Sequence, residues 1–425
     1  MSARILSIWA FTALGLAVLF AAIVVGFGAA LSGFVQRLAE GTDRALLGFA
    51  SVQDLPAVRG VVAVLLAVVG LGLLVHSFRQ AFRGLTRVIN PKMEGRVMDA
   101  YVRKRSLLSG PRVVVIGGGT GLSTLLRGLK QRTSNITAIV TVADDGGHSG
   151  LLRREMGMIP PGDIRNCLVA LADAEPAMTA LFQHRFDQRG GGMAGHSIGN
   201  LLIAAMADIE GDFEKGIKKL YEVLNIRGMV LPSTLAHVTL RAEMEDGSLI
   251  DGETAIVESP LRIRKVSLVP ADPPPLEEAL EAIRNADIIV IGPGSVYTSV
   301  IPNLLVRGMT DAIAASKAVK VYACNVMTQP GESDGFTAAD HVRAIEAHTG
   351  RHVFQYVIVN KAIPGEALIE KYRASNQELV VPDADRLRAM GLKPVVGDFI
   401  SETDVVRHDP VRLTEAILRV GGAKR

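Results

Sequence analysis

At 425 residues the chain is too long for one ordinary domain, and a mean hydropathy of +0.29 is high for a protein lying wholly in water. A net charge of +3 leaves no nucleic-acid footprint. The two cysteines, Cys167 and Cys324, have neither a second cysteine nor a spaced histidine beside them, which rules against a disulfide framework and a zinc site.

The first elements are apolar. Charged residues are absent from Ile5 to Gln36 and from Gly60 to Phe78, stretches long enough to cross about 30 Å of hydrocarbon as helices. The sequence predicts spans over about residues 5–35 and 60–78, joined as a helical hairpin within residues 1–83. The first run is far longer than the core of a signal peptide, about 7 to 15 residues, so it reads as an anchor. After the second span Arg79, Arg83, Arg87, Lys92, Arg96, Arg103, Lys104 and Arg105 outnumber Glu94 and Asp99. That excess places residues 84–109, a basic connector, on the cytoplasmic side, with lipid headgroups rather than nucleic acid as its partner.

Residues 110–425 form the globular domain. Val113–Ile116 is a continuous β-branched run, as a parallel strand covered on both faces requires, and Gly117-Gly118-Gly119-Thr120-Gly121 follows it. A helix from Leu122 to Arg132, a strand from Ile136 to Val142, the loop Asp144 to Gly150, and helices over 162–174 and 176–185 come next. Gly195 to Asn200 opens an apolar helix and Asp212 to Asn225 an amphipathic one. The alternation from Ala236 to Val257 about Asp246-Gly247 reads as an antiparallel hairpin. The α/β rhythm returns with a helix over 276–285, the strand Asp287 to Ile291 and the loop Gly292-Pro293-Gly294-Ser295. Strands at Val319 to Asn325 and Phe354 to Val359 flank a helix near 337–349. The expected fold is α/β, a doubly wound, mainly parallel, Rossmann-like sheet with a small antiparallel insertion, preceded by the membrane hairpin.

Ligands of such sheets gather beyond the carboxyl ends of the strands. Four polar glycine-bearing segments follow strands here: Gly117 to Gly121, Asp144 to Gly150, Gly292 to Ser295 and Asn325 to Gly331. Four glycines in the five residues of the first bring backbone N–H groups close to a phosphate at a helix N-terminus. The third glycine of the dinucleotide fingerprint is missing, which weakens an NAD reading. Asp144 and Asp145, with Gly146 and Gly147, form an acidic loop; being adjacent, the two carboxylates point to opposite sides. A magnesium-held diphosphate would draw on Asp144, Asp145 and Asp163, the last serving equally as a helix cap; Asn166 addresses the same ligand or caps. His196 and Asn200 share a helix face, and His148 lies within the acidic loop. A nucleophile elbow, a Walker lysine and a zinc trio are all missing, so acyl transfer, P-loop hydrolysis and zinc chemistry are disfavoured, and no residue is assigned a catalytic role.

The blocks GGGTGLSTLLRGLK, ITAIVTVADDGGHSG, PPGDIRN, GHSIGNLL, IGPGSVYTSVIPNLLV and NVMTQPGESDG resemble, in order, those of the YvcK-type gluconeogenesis factors, relatives of the CofD 2-phospho-lactate transferases. The resemblance runs from about Val113 to about Leu413. It implies a site for UDP-N-acetylglucosamine or a related UDP-sugar, in a non-catalytic regulator of cell-wall precursor supply and cell shape. The hairpin and the basic flank after it, independently of the resemblance, give the expected location: a bacterial inner membrane, multi-pass, with the globular domain in the cytoplasm. Expected partners are the nucleotide sugar, the membrane, a second copy of the chain and cell-wall synthesis proteins, with nucleic acid excluded. Carried over, Gly117 to Gly121, Asp144, Asp145, Asn200, Gly294 and Ser295 line the nucleotide cleft, with Gly292 and Asn325 beside them. Tyr372 and Arg407 resemble the family's contacts to the UDP moiety, a ring for uracil and a fork for the diphosphate. Two departures stand out: His148 replaces a serine common in the family, and the usual soluble members lack the hairpin. The competing readings are a magnesium-dependent CofD-like transferase and an NAD-binding oxidoreductase.

Overall fold

The computed structural model describes residues 97–173, 176–187, 194–402 and 405–422, with scattered helical positions between 33 and 80. Residues 1–100 and 101–425 are separate compact units. In the first, residues 68–78 are helical, and Val68, Val69, Leu71, Leu73, Leu74 and Phe78 are all exposed. The expected span over 5–35 lies almost wholly outside the described residues, and that over 60–78 partly so. Among the described residues, no helix is long and apolar enough to cross a membrane.

The second unit is built on a sheet of seven strands in the order β10-β9-β8-β7-β1-β2-β3. These are β1 (Val113–Gly117), β2 (Ile136–Val140), β3 (Met229–Pro232), β7 (Ile288–Ile291), β8 (Val319–Ala323), β9 (Tyr356–Asn360) and β10 (Lys393–Gly397). All neighbouring pairs are parallel, Val113 lying against Ile136 on one side and Ile288 on the other. The middle strands read as unbroken apolar runs because helices cover both faces: β1, β2 and β7 are buried along their whole length. From β1 the chain winds outward through β2 to β3, and from β7 the other way through β8 and β9 to β10. The order therefore reverses between β1 and β7, which is where such folds open a crevice.

The antiparallel insertion is larger than the sequence suggests. β4 (Thr239–Met244) turns at Asp246-Gly247 into β5 (Leu249–Asp251), a short helix Glu253–Glu258 follows, and β6 (Ile263–Val269) returns on the other side of β4. A further two-stranded ribbon, β11 (Ile400–Glu402) with β12 (Val406–His408), lies near the carboxyl end of the domain. Two other differences bear on the site. The second half of the expected acidic loop is helical, Gly147–Met156, entered through Gly147 at φ +48°. The helix after Gly294-Ser295 opens as one π-helical turn, Val296–Val300, before continuing to Leu304, a distortion frequent at functional sites.

Candidate functional site

At the switch point two glycine loops meet backbone to backbone. A Cβ on Gly121 would stand 3.1 Å from the Pro293 carbonyl oxygen, and one on Gly294 3.1 Å from that of Gly118. A side chain at either position would press the two backbones apart by a few tenths of an ångström. Gly118 is extended, a conformation any residue adopts, yet a Cβ there would strike the Asp163 carboxylate and lie 3.0 Å from the Thr141 methyl. Gly119 holds φ +69°, the left-handed region that favours glycine. The buried Asn303 fastens the two loops: its Nδ2 donates to the Gly117 carbonyl at 3.1 Å and to the Ser299 carbonyl at 2.7 Å.

The loops use their N–H groups differently. The helix Gly119–Leu129 takes no cap from Gly118, its own N-cap residue, and the Asp163 carboxyl accepts the Gly119 N–H, so an acid of this chain already shares its N-terminus. Asp163 itself lies in the first turn of Gly162–Leu171 but does not cap that helix. On the second loop Gly294 N–H donates to Asn325 Oδ1 at 3.1 Å, and Ser295 Oγ to Gln329 Oε1 at 2.6 Å. The buried Glu332 accepts from Thr298 Oγ1 at 3.1 Å and faces the N–H groups of Tyr297 and Thr298. An anion from this chain thus already sits where the sequence anticipates a ligand anion.

Between these loops and the β11-β12 ribbon is a cleft of about 400 Å3. Gly118, Gly119, Thr120 and Gly121 form one wall, Gly294, Ser295 and Asn325 the floor beside it, and Tyr372, Gln377 and Arg407 the opposite side. Tyr372 Oη accepts the Val406 N–H at 2.9 Å, which ties the phenol to the ribbon and fixes its ring in the cleft wall. Arg407 is exposed on the rim, and its charge joins burial in holding the Arg127 guanidinium below its usual value. The buried His408 imidazole is pushed down to about 4 by burial, so it is neutral at physiological pH.

A second chamber, about 370 Å3, opens beside Asp163 and is lined by Asp144, Gly146, Gly147, His148, Asn166, Arg165 and Arg185. Arg165 is buried and donates to Ser197 Oγ at 2.6 Å, Asn200 Oδ1 at 3.0 Å and Asn166 Oδ1 at 2.9 Å. His196, buried just before the helix Ile198–Glu210, packs edge-on against His148 with ring centres 4.6 Å apart. Burial raises the carboxyls gathered here: Asp163 to about 6, Asp144 upward, and Glu253, facing Asp144, Glu332, Asp163 and Asp145, to about 9. The expected residues are thus divided between two chambers, with Gly117, Gly292, His196 and Asn200 behind their walls.

Asp145 points elsewhere. Its Oδ1 accepts from the Thr254 N–H at 3.1 Å and the Thr254 hydroxyl at 3.0 Å, bracing the loop against the insertion. Among the described residues, no group of three or more His, Cys, Asp or Glu is arranged to hold a metal ion. Sequence reasoning missed Asn303, Arg165, Gln329, Glu253 and Glu332. An arginine among the apolar positions of a helix, and a glutamate directly after Gln329-Pro330-Gly331, were the available signals for two of them. A larger cavity, about 530 Å3, opens at the other ends of β1 to β3. Of its charges, Arg112 is paired with Asp287 and Lys218 with Glu278, and Glu281 remains.

The 2-phospho-L-lactate transferase CofD family model matches residues 113–400. The gluconeogenesis factor of Halalkalibacterium halodurans is 52% identical over 307 residues, 72% of this chain and 95% of that protein. That of Bacillus subtilis (strain 168) is 48% identical over 309 residues, 72% and 97% of the two chains. Among solved structures, a member of the UPF0052 family from Bacillus halodurans superposes with a TM-score of 0.70 at 52% identity, covering 72% of this chain and 99% of that one.

Proposed function

This chain belongs to the CofD family, in its gluconeogenesis-factor branch, and on that footing we propose that it is a UDP-sugar-binding regulatory protein. The observation that carries the reading is the cleft itself. One wall is a helix N-terminus reached through glycines, suited to a diphosphate, and the other presents a fixed aromatic ring and an arginine, suited to a pyrimidine and its phosphates. UDP-N-acetylglucosamine is the ligand expected, with the diphosphate at Gly118 to Gly121 and the uracil at Tyr372. The sugar then extends toward Asp163 and the second chamber. UDP-sugar binding does not require magnesium; of the three acids expected to hold one, Asp145 is committed to Thr254, which leaves Asp144 and Asp163. Occupancy of the cleft is the signal by which cell-wall precursor supply and cell shape are regulated, and cell-wall synthesis proteins and a second copy of the chain are the partners.

We also propose that residues 5–35 and 60–78 tether the domain to a membrane, with residues 101–425 on the cytoplasmic side. The exposed apolar side chains around the helical residues 68–78 support this, because water is a poor environment for such a surface. Reporter fusions after Arg105 and within 44–59 should report opposite sides; the same side for both would end the hairpin reading.

Calorimetric titration of the full-length protein with UDP-N-acetylglucosamine, GDP and NAD tests the cleft. The expected result is saturable binding of the UDP-sugar alone, little magnesium dependence, and intact ligand after long incubation. Magnesium-dependent consumption of a nucleotide-linked substrate on adding an acceptor would replace the regulator with a transferase.

A further inference from the structure

The helix Glu366–Arg373 brings Tyr372 to the cleft, and the turn that ends it brings a second side chain. Asn376 takes φ +53°, and two backbone bonds close the helix end. The Asn376 N–H donates to the Arg373 carbonyl at 3.0 Å, and the Gln377 N–H to the Tyr372 carbonyl at 2.9 Å. In this closure the residue after the left-handed one comes to lie beside the residue whose carbonyl it reaches, here Gln377 beside Tyr372. Glu378 is then pinned in both directions: its N–H donates to Thr328 Oγ1 at 2.8 Å, and its carbonyl accepts the Thr328 N–H at 2.7 Å. The backbone carrying Gln377 is therefore fixed before and after it. Gln377 is half-buried and lines the cleft together with Tyr372. The other amides of the cleft have each spent an oxygen, Asn325 Oδ1 on the Gly294 N–H and Gln329 Oε1 on the Ser295 hydroxyl. Thr124 and Thr328 are engaged as well, the first with the Thr120 carbonyl and the second with Glu378. Among the described residues no group bonds the Gln377 carboxamide, so its acceptor and its donors face the cleft unspent.

We propose that Gln377 is the residue that reads the nucleobase: its carboxamide oxygen accepts the ring N3–H of a uracil lying on Tyr372, and its NH2 donates to the carbonyl next to that N3–H. This rests on the proposed reading of the cleft and deepens it, since a stacking ring tolerates any base while an amide beside it demands a hydrogen-bonding edge. An amide presents an acceptor and a donor side by side, the complement of a ring N–H next to a carbonyl. A methyl group on N3 removes the donor and sets a carbon against the amide oxygen, and a site built to bond that edge rejects such an analogue because its own polar group is left unpaired.

The experiment is calorimetry of the full-length protein at pH 7 with UDP and with UDP methylated at N3. The native protein should bind UDP at least tenfold more tightly than the methylated form. Gln377→Leu, which keeps the bulk and removes the amide, should lose about fivefold or more for UDP and bind the two ligands alike, with an unchanged melting temperature. Loss of discrimination between the two ligands is the decisive readout, because a residue that merely supports the fold would weaken both and keep their ratio. Equal binding of UDP and its methylated form by the native protein overturns the inference and leaves the cleft reading standing. So does discrimination that survives in Gln377→Leu, since another group would then read the edge. Failure of the native protein to bind UDP or UDP-N-acetylglucosamine at all sinks the cleft reading itself, and this inference with it.

Discussion

Two glycine-rich loops follow strands, precede helices and touch across the switch point, and each has a buried carboxyl at the helix it opens, Asp163 at the first and Glu332 at the second. At Gly117 to Gly121 a single acid of this chain, Asp163, reaches the helix N-terminus, at the Gly119 N–H. At Gly292 to Ser295 the corresponding donors are taken by Asn325, Gln329 and Glu332. A glycine loop after a strand thus states that a backbone donor set can be approached closely. Which anion approaches it is decided by side chains more than thirty residues away. On the proposed reading the first loop receives the ligand and the second braces the first.

The largest effect expected from this contrast is at Gly118. Gly118→Val would place a branched side chain against Asp163, Thr141 and Ser299, closing the phosphate position, and UDP-sugar affinity should fall more than a hundredfold, about 3 kcal/mol. Titration beside a circular dichroism spectrum checks it, and native affinity in a folded variant would remove the first loop from the site. Next comes Arg407→Ala, which deletes a rim cation without disturbing packing; a loss of about 1.5 to 3 kcal/mol in binding with an unchanged melting temperature is expected.

Asn325→Ala should act the other way round. It leaves the Gly294 N–H unpaired, so the fold should lose about 1 to 3 kcal/mol, read as a lowered denaturation midpoint, while affinity drops no more than a few fold. An affinity loss as large as that at Gly118 would show that both loops bind the ligand. The smallest effect concerns pH. Burial raises Asp163 from 3.8 to about 6, so the fold prefers its protonated form. Its contribution to stability is present below the unfolded value and is lost as pH rises through about 6. A diphosphate diester keeps its charge over this range and meets a carboxylate only above it. Affinity should therefore be a few fold tighter at pH 5.5 than at pH 7.5 in the native protein, and flat in Asp163→Asn.

Much of the sheet is legible locally, because β1, β2, β7, β8 and β9 are buried and read as apolar runs bounded by glycine, proline or polar turns. The strands that escaped are the two edges. β3 is four residues ending in Pro232, and β10 carries Pro394 with half-exposed side chains, so neither shows a run or an alternation. The helix Gly147–Met156 escaped because it opens on Gly147-His148-Ser149-Gly150, poor helix formers held in place by the surrounding loop.

By itself the sequence determined the α/β class, the loops that end on the crevice, and most of the residue types around the cleft, since these follow from short-range periodicity and from where glycine is tolerated. Only the tertiary structure decided that Asp163 meets the Gly119 N–H, that Asp145 faces Thr254 while Asp144 faces the second chamber, and that Glu332 is buried against Thr298. Those outcomes depend on partners distant in sequence meeting after the sheet has formed. No local pattern encodes them, because hydrogen-bond satisfaction and desolvation are properties of the assembled neighbourhood.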